Sequence, residues 1–174
     1  MSFKKIKATE IPANAIQLIG YDWMLITAGT KEHFNTMTAA WGGLGFLWKK
    51  PMAVIFIRPQ RYTYEFAEKY DSFSLCFFNE EYRDVLQLCG TRSGRDMDKV
   101  KASGLTARQS QEGNIYFEEA SLVIECRKVY RDDIKPGNFL DPGIQKNYPK
   151  FDYHRMYIGF ITNCMIKNPE SKGK

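Results

Sequence analysis

Short apolar runs of strand length recur along the chain, and they restrict the fold more than any other feature of the sequence. Glycine, proline or short polar segments separate them, as is usual between the strands of antiparallel proteins. Three short segments with helical spacing lie among the runs. About six strands with such insertions predict a mainly β fold, an antiparallel barrel with inserted short α-helices. The predicted strands are residues 23–28, 36–41, 52–57, 73–78, 114–117, 120–130 and 156–166.

The composition fits one globular domain with a β-rich core. Of the 174 residues, 44% are hydrophobic, and the 12 phenylalanines and 10 tyrosines favour strands. A chain of this length buries roughly 70% of its unfolded surface when it folds as one domain. We therefore predict a single domain over residues 1–174, with its core at about 20–165 and a flexible tail at 168–174.

Two observations predict a cytoplasmic protein that does not enter a membrane. No segment approaches the ~18 consecutive apolar residues of a membrane span. Residues 1–7 also lack the apolar stretch of a signal peptide.

The charge balance is compatible with small anionic ligands. A net charge of +5 is too diffuse to indicate nucleic acid. A small barrel that stacks single-stranded nucleic acid is a remote alternative, because the aromatic residues here fall mostly in apolar strands and helices. The four cysteines are far apart and form no C-x-x-C pattern. We interpret them as reduced core thiols, in preference to redox or metal roles, and predict no metal site.

Local signals place several turns and loops. Residues 4–12 are a polar lead-in without periodicity, and Asn14 is suited to cap a short helix that ends near Gly20. The glycines within 42–45 interrupt regular structure. Residues 131–151 are rich in Asp, Pro, Gly, Asn and Lys, and they predict a long loop. Loops of this length are usually functional or covered by a partner.

Three helices are predicted in the middle of the chain. Thr63 is a good N-cap for the first, which has acidic residues early and a lysine late. Residues 80–88 have helical spacing and form the second. The third opens at Ser93 or Asp96 and is closed by Gly104.

Residues 35–63 combine signals that suit an anionic ligand with a planar, partly apolar body. The first part offers small residues, hydroxyls and an amide, and the middle is an apolar strand. Arg58 and Arg61 follow, just before a helix start, where guanidinium groups and first-turn N–H groups favour phosphate. Thr63 adds a hydroxyl and an amide. The sequence leaves open the alternative of two solvated surface arginines.

Ser93, Gly94 and Lys99 form a second candidate anion cradle, with small residues again at a helix start. Alone this is ordinary turn chemistry. Together with the arginines it predicts the other wall of one pocket.

A polar aromatic ring has a predicted place along residues 35–41. Backbone groups of an extended segment satisfy ring heteroatoms, and small side chains such as Ala40 permit close approach. Trp41 and Tyr62 would pack against the ring face, with core packing as the alternative for Trp41.

His154 is a candidate donor toward the pocket, and a surface or capping histidine is the alternative. The chain has only two histidines and shows no catalytic triad, so an enzyme of this sequence would rely on a cofactor.

Four segments together resemble the flavin reductase-like FMN-binding family, and most closely its flavoredoxin-type branch. They are residues 35–41 (NTMTAAW), 58–63 (RPQRYT), 93–99 (SGRDMDK) and 154–159 (HRMYIG). The resemblance covers about residues 20–165 in order, so it is more specific than any single motif. Many relatives carry an asparagine inside a Val-rich strand where this chain has Phe77-Phe78-Asn79, so no flavin role is carried onto Asn79.

This resemblance implies a split antiparallel β-barrel of the FMN-binding type, a homodimer with FMN bound non-covalently at or near the subunit interface. The strand 35–41 would meet the isoalloxazine and ribityl portions, and the two cradles would bind the phosphate end. The implied cofactor-binding residues are Asn35, Thr36, Met37, Thr38, Ala39, Ala40, Trp41, Arg58, Arg61, Tyr62, Thr63, Ser93, Gly94 and Lys99.

The implied reaction is hydride transfer from NADH or NADPH to FMN, followed by passage of electrons to an acceptor that the sequence does not identify. The alternative is an FMN-binding electron carrier without nicotinamide oxidation of its own. Gly-x-Gly-x-x-Gly is absent, so nicotinamide use rests on the resemblance alone. The sequence also leaves open whether the loop 131–151 covers its own pocket or that of a partner.

Overall fold

A computed structural model describes residues 2–168, and within them the chain forms ten β-strands and three α-helices. The helices are α1 (Tyr62–Lys69), α2 (Arg83–Thr91) and α3 (Lys99–Ser103). The strands are β1 (Phe3–Ile6), β2 (Met24–Gly29), β3 (Phe34–Ala39), β4 (Gly42–Leu47), β5 (Lys50–Ile57), β6 (Ser72–Phe77), β7 (Ala107–Gln109), β8 (Ile115–Phe117), β9 (Leu122–Asp133) and β10 (Arg155–Lys167).

Eight of the strands form one antiparallel sheet in the order β3-β2-β6-β9-β10-β5-β4, with β1 also paired to β10. The long strand β10 pairs with β5 through its first half and with β1 through its second. Register shifts interrupt its pairing with β9 at Ile158/Gly159 and at Ile161/Asn163. Such bulges bend a strand and increase its twist, so this sheet can curl. At the first bulge a Cβ on Gly159 would lie 2.8 Å from Cys126 Cβ, so the close approach requires glycine.

Both faces of the central strands are buried, which explains why their sequences read as continuous apolar runs. Met24 and Ile26 of β2 belong to the main core, together with residues of β5, β6 and β10. Leu25, between them, faces a second core that contains Leu86 of α2. Alternate side chains of a strand point to opposite faces. A strand between two cores is therefore apolar at successive positions. All four cysteines are buried and unpaired, in agreement with the sequence interpretation.

The mainly β prediction is confirmed. The short strand β7 was not predicted, and neither were β1 and β4. Residues 4–12 were predicted to lack structure, whereas Phe3–Ile6 pairs with the distant end of β10. The glycines of 42–45 were predicted to break regularity, but they lie in β4, which forms a hairpin with β5. Trp48 and Lys49 make its turn with φ of 49° and 62°. In both cases pairing with a neighbouring strand outweighs weak local propensity.

The helix ends also differ from the predicted positions. Thr63 does not cap α1, which begins one residue before it, because the Thr63 hydroxyl accepts a hydrogen bond from Asn35. The third helix begins at Lys99, capped by Asp98 rather than by Ser93 or Asp96. The second prediction, residues 80–88, covers a 3₁₀ turn and most of α2. Gly104 closes α3 with φ of 72°, as predicted.

The segment around 131–151 is shorter and more ordered than predicted. Strand β9 continues to Asp133, and two 3₁₀ turns, Pro136–Asn138 and Pro142–Asn147, follow it. Near the amino end, Asn14 caps a helical turn as predicted, accepting from Ile16 N at 2.8 Å, and a π-helical turn at Gln17–Asp22 follows. The predicted tail 168–174 lies outside the described residues except for Asn168. Within residues 2–168 no helix is long and apolar enough to cross a membrane.

Candidate functional site

Strand β3 lies at one edge of the sheet, and its free side forms one wall of the candidate site. Within residues 2–168 it pairs only with β2, so part of its backbone is available to other groups. The ammonium of Lys99 donates to Thr36 O on this free side at 2.9 Å. Backbone groups of alternate strand residues point the same way, so Thr38 presents its N–H and C=O on that side too.

Three clefts adjoin along this edge, and every predicted cofactor-binding residue lines at least one of them. The central cleft, of about 130 Å³, is lined by Met37, Gln60, Arg61, Tyr62, Thr63, Thr91, Arg92, Ser93, Gly94 and Lys99. It shares Arg61 with a second cleft, the aromatic cleft, and Lys99 with a third, the outer cleft. The aromatic cleft, of about 380 Å³, is lined by Met37, Thr38, Ala39, Ala40, Trp41, Phe56, Arg58, Gln60, Arg61 and His154. The outer cleft, of about 660 Å³, is lined by residues of the β2–β3 turn, β3, α1 and the segment before α3.

Two cations meet at the central cleft without a carboxylate partner. Lys99 is only 6% exposed, and its ammonium donates to Thr36 O and Cys89 O at 2.9 Å each. The Arg61 guanidinium donates to Gly90 O at 2.6 Å. Within residues 2–168 neither side chain forms an ion pair. Burying unpaired charge is costly, so an anion here would stabilise both groups.

The pKa values of these cations reflect that burial. Desolvation, helped by the nearby positive charge of Arg61, lowers the pKa of Lys99 to about 8. Burial also lowers the pKa of Arg61, and the charge of Arg58 adds to the effect. Both side chains are therefore charged at neutral pH in a setting that disfavours their charge. The negative charge of a bound phosphate would favour the charged forms of both side chains.

Gly94 fits tightly against Asn35, and this contact shapes the junction of the central and outer clefts. A Cβ on Gly94 would lie 2.0 Å from Asn35 Oδ1 and 3.1 Å from the Tyr62 ring. The Asn35 amide is buried and donates to Thr63 Oγ1 at 2.7 Å. Asn35 and Thr63 therefore hold the cleft wall together, and only glycine fits beside them.

The threonines of β3 use their side chains within the fold. Thr36 Oγ1 lies 2.9 Å from Thr27 Oγ1 inside the sheet. Thr38 Oγ1 donates to Leu86 O of α2. Thr38 consequently offers a ligand its backbone rather than its hydroxyl, whereas the Thr36 carbonyl already accepts from Lys99.

Arg58 is placed apart from the central cleft, although the sequence joined it with Arg61. Its guanidinium bonds Asp152 Oδ2 at 2.6 Å and Asn147 O at 2.9 Å. It also lies 5.2 Å from the centre of the Tyr148 ring. Arg58 thus fixes the segment before β10 to the aromatic cleft. Arg61, unlike Arg58, lines both the aromatic and the central cleft.

His154 is a buried neutral histidine at the aromatic cleft. It is 7% exposed, and its ring centre lies 4.9 Å from that of Trp41, which is 47% exposed. Desolvation, together with Arg58 and Arg61, lowers the pKa of His154 to about 4. His154 is therefore uncharged at physiological pH.

Tyr148 sets the tautomer of that histidine. The Tyr148 hydroxyl lies 2.9 Å from His154 Nδ1, and no other hydrogen-bond partner of it occurs within residues 2–168. We assign the hydroxyl as the donor, because it would otherwise have no acceptor. The remaining ring proton is then on Nε2.

Four residues of this region were not found from the sequence: Phe56, Gln60, Tyr148 and Asp152. Phe56 lies near the end of β5 and Gln60 lies between the two arginines, so their proximity to Arg58 in sequence was the available signal. Tyr148 and Asp152 reach the site from the segment after β9. That segment had no periodicity from which their direction could be inferred.

Within residues 2–168 the antiparallel sheet does not close, since β3 and β4 lie at the two ends of its strand order, and ligand-sized clefts lie along the β3 edge. With its inserted helices, this is a split antiparallel β-barrel. Solved structures share this fold. An FMN-binding domain of a flavin reductases-like enzyme from Shewanella baltica matches with a TM-score of 0.69 and 16% identity, over 95% of this chain and 77% of that one. The flavoredoxin of Desulfovibrio vulgaris matches with a TM-score of 0.66 and 20% identity, over 94% and 78%.

A more distant neighbour in sequence has the same fold. An NADH:FAD oxidoreductase of Streptomyces globisporus matches with a TM-score of 0.65 and 12% identity, over 84% of this chain and 75% of that one. The family model of the flavin reductase like domain matches residues 17–173. This chain belongs to that family, as the sequence resemblance predicted. No curated protein sequence matches the chain.

Proposed function

We propose that this protein binds FMN non-covalently and acts as an oxidoreductase that passes electrons from NADH or NADPH through the flavin to a second acceptor. Arg61 and Lys99, two cations that form no ion pair within residues 2–168, carry the proposal. They border a cleft that continues along the free edge of β3, so an anion and an attached ring fit one continuous space. Family membership and the FMN-binding proteins of the same fold support it.

The residues of the two clefts fit the two ends of FMN. The phosphate would lie between Arg61 and Lys99, with Ser93 and Gly94 beside it. The ring would lie in the aromatic cleft, where the backbone edge at Thr38 offers a donor and an acceptor. Ala39 and Ala40 leave space for a flat ring, and Trp41 covers one side. When bound, FMN supplies the hydride and electron transfer itself.

His154 would act on the substrate side of the aromatic cleft. Its Nε2–H is a neutral donor, held in place by Tyr148. Such a group can donate a hydrogen bond to an amide or carbonyl oxygen of a bound molecule without adding charge. Arg58 supports it by holding the segment that carries Tyr148.

An electron carrier without nicotinamide oxidation of its own is the second candidate. Flavoredoxins from Desulfovibrio vulgaris and Methanosarcina acetivorans share the fold. The absence of a dinucleotide fingerprint from the sequence is compatible with this reading. Steady-state oxidation of NADH or NADPH separates the two, because a carrier needs a partner reductase.

A homodimer is also part of the proposal, and exposed aromatic side chains support it. Phe46 and Trp48, at the β4–β5 hairpin, are 72% and 56% exposed. Trp48 lies near Tyr130 and Phe160, with ring centres 6.4 and 6.2 Å away. Exposed apolar groups that gather in one place commonly mark an interaction surface.

The test of flavin binding is an absorbance spectrum of the purified protein, repeated after addition of FMN and gel filtration. We expect flavin to co-elute at one FMN per chain. A protein that stays colourless after FMN addition would contradict the proposal. Once binding is established, NADH and NADPH oxidation with free flavin or ferricyanide as acceptor decides between the enzyme and the carrier.

A further inference from the structure

We propose that the cleft between β1, the β7–β8 hairpin and β10, the hairpin cleft, is a second ligand site that binds the ammonium group of a small aliphatic monoamine. The cleft has a volume of about 370 Å³ and is lined by Phe3, Lys5, Gln109, Ser110, Gln111, Glu112, Tyr116, Glu118, Asn163 and Met165. It shares none of these residues with the three clefts along β3. The inference is therefore independent of the proposed flavin function.

Strand pairing places the walls of the hairpin cleft. Strand β1 pairs with the second half of β10, where Lys5 lies opposite Met165. Asn163 lies two residues before Met165 on β10, so the two side chains leave the sheet on the same face. The β7–β8 hairpin turns at 110–114, where Gly113 has φ of 88°. The cleft thus lies between segments that are far apart in sequence.

A buried carboxylate joins two of these segments behind the cleft wall. Glu125 of β9 is fully buried. The hydroxyl of Ser110, in the hairpin turn, donates to Glu125 Oε1, and Asn163 Nδ2 donates to Glu125 Oε2 at 2.6 Å. Glu125 forms no ion pair within residues 2–168. Burying a carboxylate without a positive partner is costly, so a cation bound beside these two donors would stabilise the region.

Asn163 carries the acceptor that an ammonium group needs. It is 9% exposed, and its buried Oδ1 atom has no hydrogen-bond partner in the described part of the chain. Glu125 fixes the orientation of the amide, because the amide nitrogen is the group that donates to the carboxylate. The amide oxygen is therefore left as an acceptor. A buried acceptor without a donor is unfavourable, and an N–H group of a primary ammonium would satisfy it.

The charges around the hairpin cleft favour a ligand with one positive charge. Glu112 and Glu118 line the cleft, and Arg108 pairs with Glu118 at 2.7 Å. Glu112 forms no ion pair within residues 2–168. Lys5, which is exposed, is the one basic residue among those that line the cleft in the described chain. Because Lys5 would repel a second ammonium group, a monoamine fits better than a diamine.

The apolar wall and the size of the cleft favour an organic cation over a metal ion. The rings of Phe3 and Tyr116 meet edge-on with centres 5.4 Å apart, and Met165 packs with them against the second core. All three are partly exposed, so they offer an alkyl chain apolar contact and offer its ammonium group a ring face. Among residues 2–168 no three His, Cys, Asp or Glu side chains gather as a metal site requires. A bare ion would also leave most of the cleft empty.

The experiment is a calorimetric titration of the full-length protein at pH 7 and constant ionic strength. Butylamine is compared with butan-1-ol, which has the same alkyl chain but no charge. We expect butylamine to bind saturably at one per chain, and butan-1-ol to bind about tenfold or more weakly. Equal affinities for the two compounds, or no saturable binding of butylamine, would overturn the site.

Two variants locate the binding. Glu112→Gln keeps the size of the side chain but removes its charge, so it should weaken butylamine binding several-fold. Glu81→Gln, at an exposed residue outside the cleft, is the matched control and should bind as wild type. Asn163→Leu removes the buried acceptor and should abolish saturable binding, with circular dichroism to show that the variant folds. If it does not fold, Glu112→Gln decides, and a wild-type affinity in that variant would overturn the site.

Failure of this site and failure of flavin binding are distinguishable. The hairpin cleft and the clefts along β3 share no lining residue, so saturating butylamine and Glu112→Gln should each leave the affinity for FMN unchanged. A protein that binds butylamine but not FMN would support the hairpin cleft and contradict the proposed function. A protein that binds FMN but not butylamine would do the reverse.

Discussion

At the residue scale, Arg61 has the clearest assignment because it is the one arginine that borders both the aromatic and the central cleft. We expect Arg61→Ala to weaken FMN binding by about 1–3 kcal/mol, the usual scale for losing a charge-assisted hydrogen bond. Flavin fluorescence quenching measures the change. Arg127→Ala, on the exposed part of β9, is the control and should leave the dissociation constant as in wild type. An equal constant in Arg61→Ala would remove Arg61 from the site.

His154 gives a prediction about stability and pH. Its folded-state pKa is lowered from 6.5 to about 4. Below pH 6.5, His154 is protonated in the unfolded chain but stays neutral in the folded protein. Stability is therefore lost as pH falls from about 6.5 toward 4. The lost stability attributable to this group approaches about 3 kcal/mol.

Urea unfolding at several pH values tests this. His154→Gln should lose less stability than wild type between pH 7 and pH 4.5. His33 is the only other histidine of the chain. His33→Gln is therefore the matched control, and its stability should follow the wild-type curve. Parallel curves for wild type and His154→Gln would show that the histidine is not held neutral.

Residue types predicted the cations of the site, but not which groups they contact. Arg58 and Arg61 looked equivalent in sequence because both follow an apolar strand. Asp152 distinguishes them: it binds Arg58 from a position 94 residues away. No local pattern contains that information. Likewise Thr63 was predicted as a cap and a ligand, yet its hydroxyl pairs with Asn35, which lies 28 residues away.

At the scale of elements, the turn between α2 and α3 depends on one glycine. Gly94→Ala would place a methyl group 2.0 Å from Asn35 Oδ1, so either the turn or the Asn35–Thr63 bond must move. We expect this variant to lose FMN affinity by tenfold or more, while circular dichroism stays close to wild type.

Gly137→Ala provides the matched control, since an added Cβ there has no atom within 4 Å. It should bind FMN normally. Normal FMN affinity in Gly94→Ala would mean that the cleft tolerates displacement of Asn35, and that the close packing has no role in binding.

Strands that lie between two apolar surfaces could be predicted from the sequence. Strands that are extended only because they pair with a neighbouring strand could not. The run containing Ile55 and Ile57 was found because burial requires apolar residues at successive positions. Strand β1 has two exposed lysines, and β4 is rich in glycine. Each is extended because a neighbour supplies its hydrogen bonds. That stabilisation depends on residues far away in sequence.

At the scale of the whole molecule, the homodimer is the claim to test. If the exposed hairpin forms the interface, Trp48→Glu should convert a dimer into a monomer by burying a charge against apolar neighbours. Sedimentation velocity measures the change. Ile16→Glu, at a residue that is 75% exposed elsewhere on the surface, should leave the mass unaltered. A dimer that survives Trp48→Glu would place the interface on another face.

The Lys99 side chain has one more consequence for the protein without its cofactor. An unpaired strand edge invites a strand from another molecule, and natural proteins discourage such pairing with lysines or covering helices. Here Lys99 donates to the free side of β3 from the first residue of α3. The residue that we assign to phosphate binding thus also blocks the hydrogen bonds through which a second chain would add to the sheet. Its loss would expose the apoprotein to aggregation through this strand.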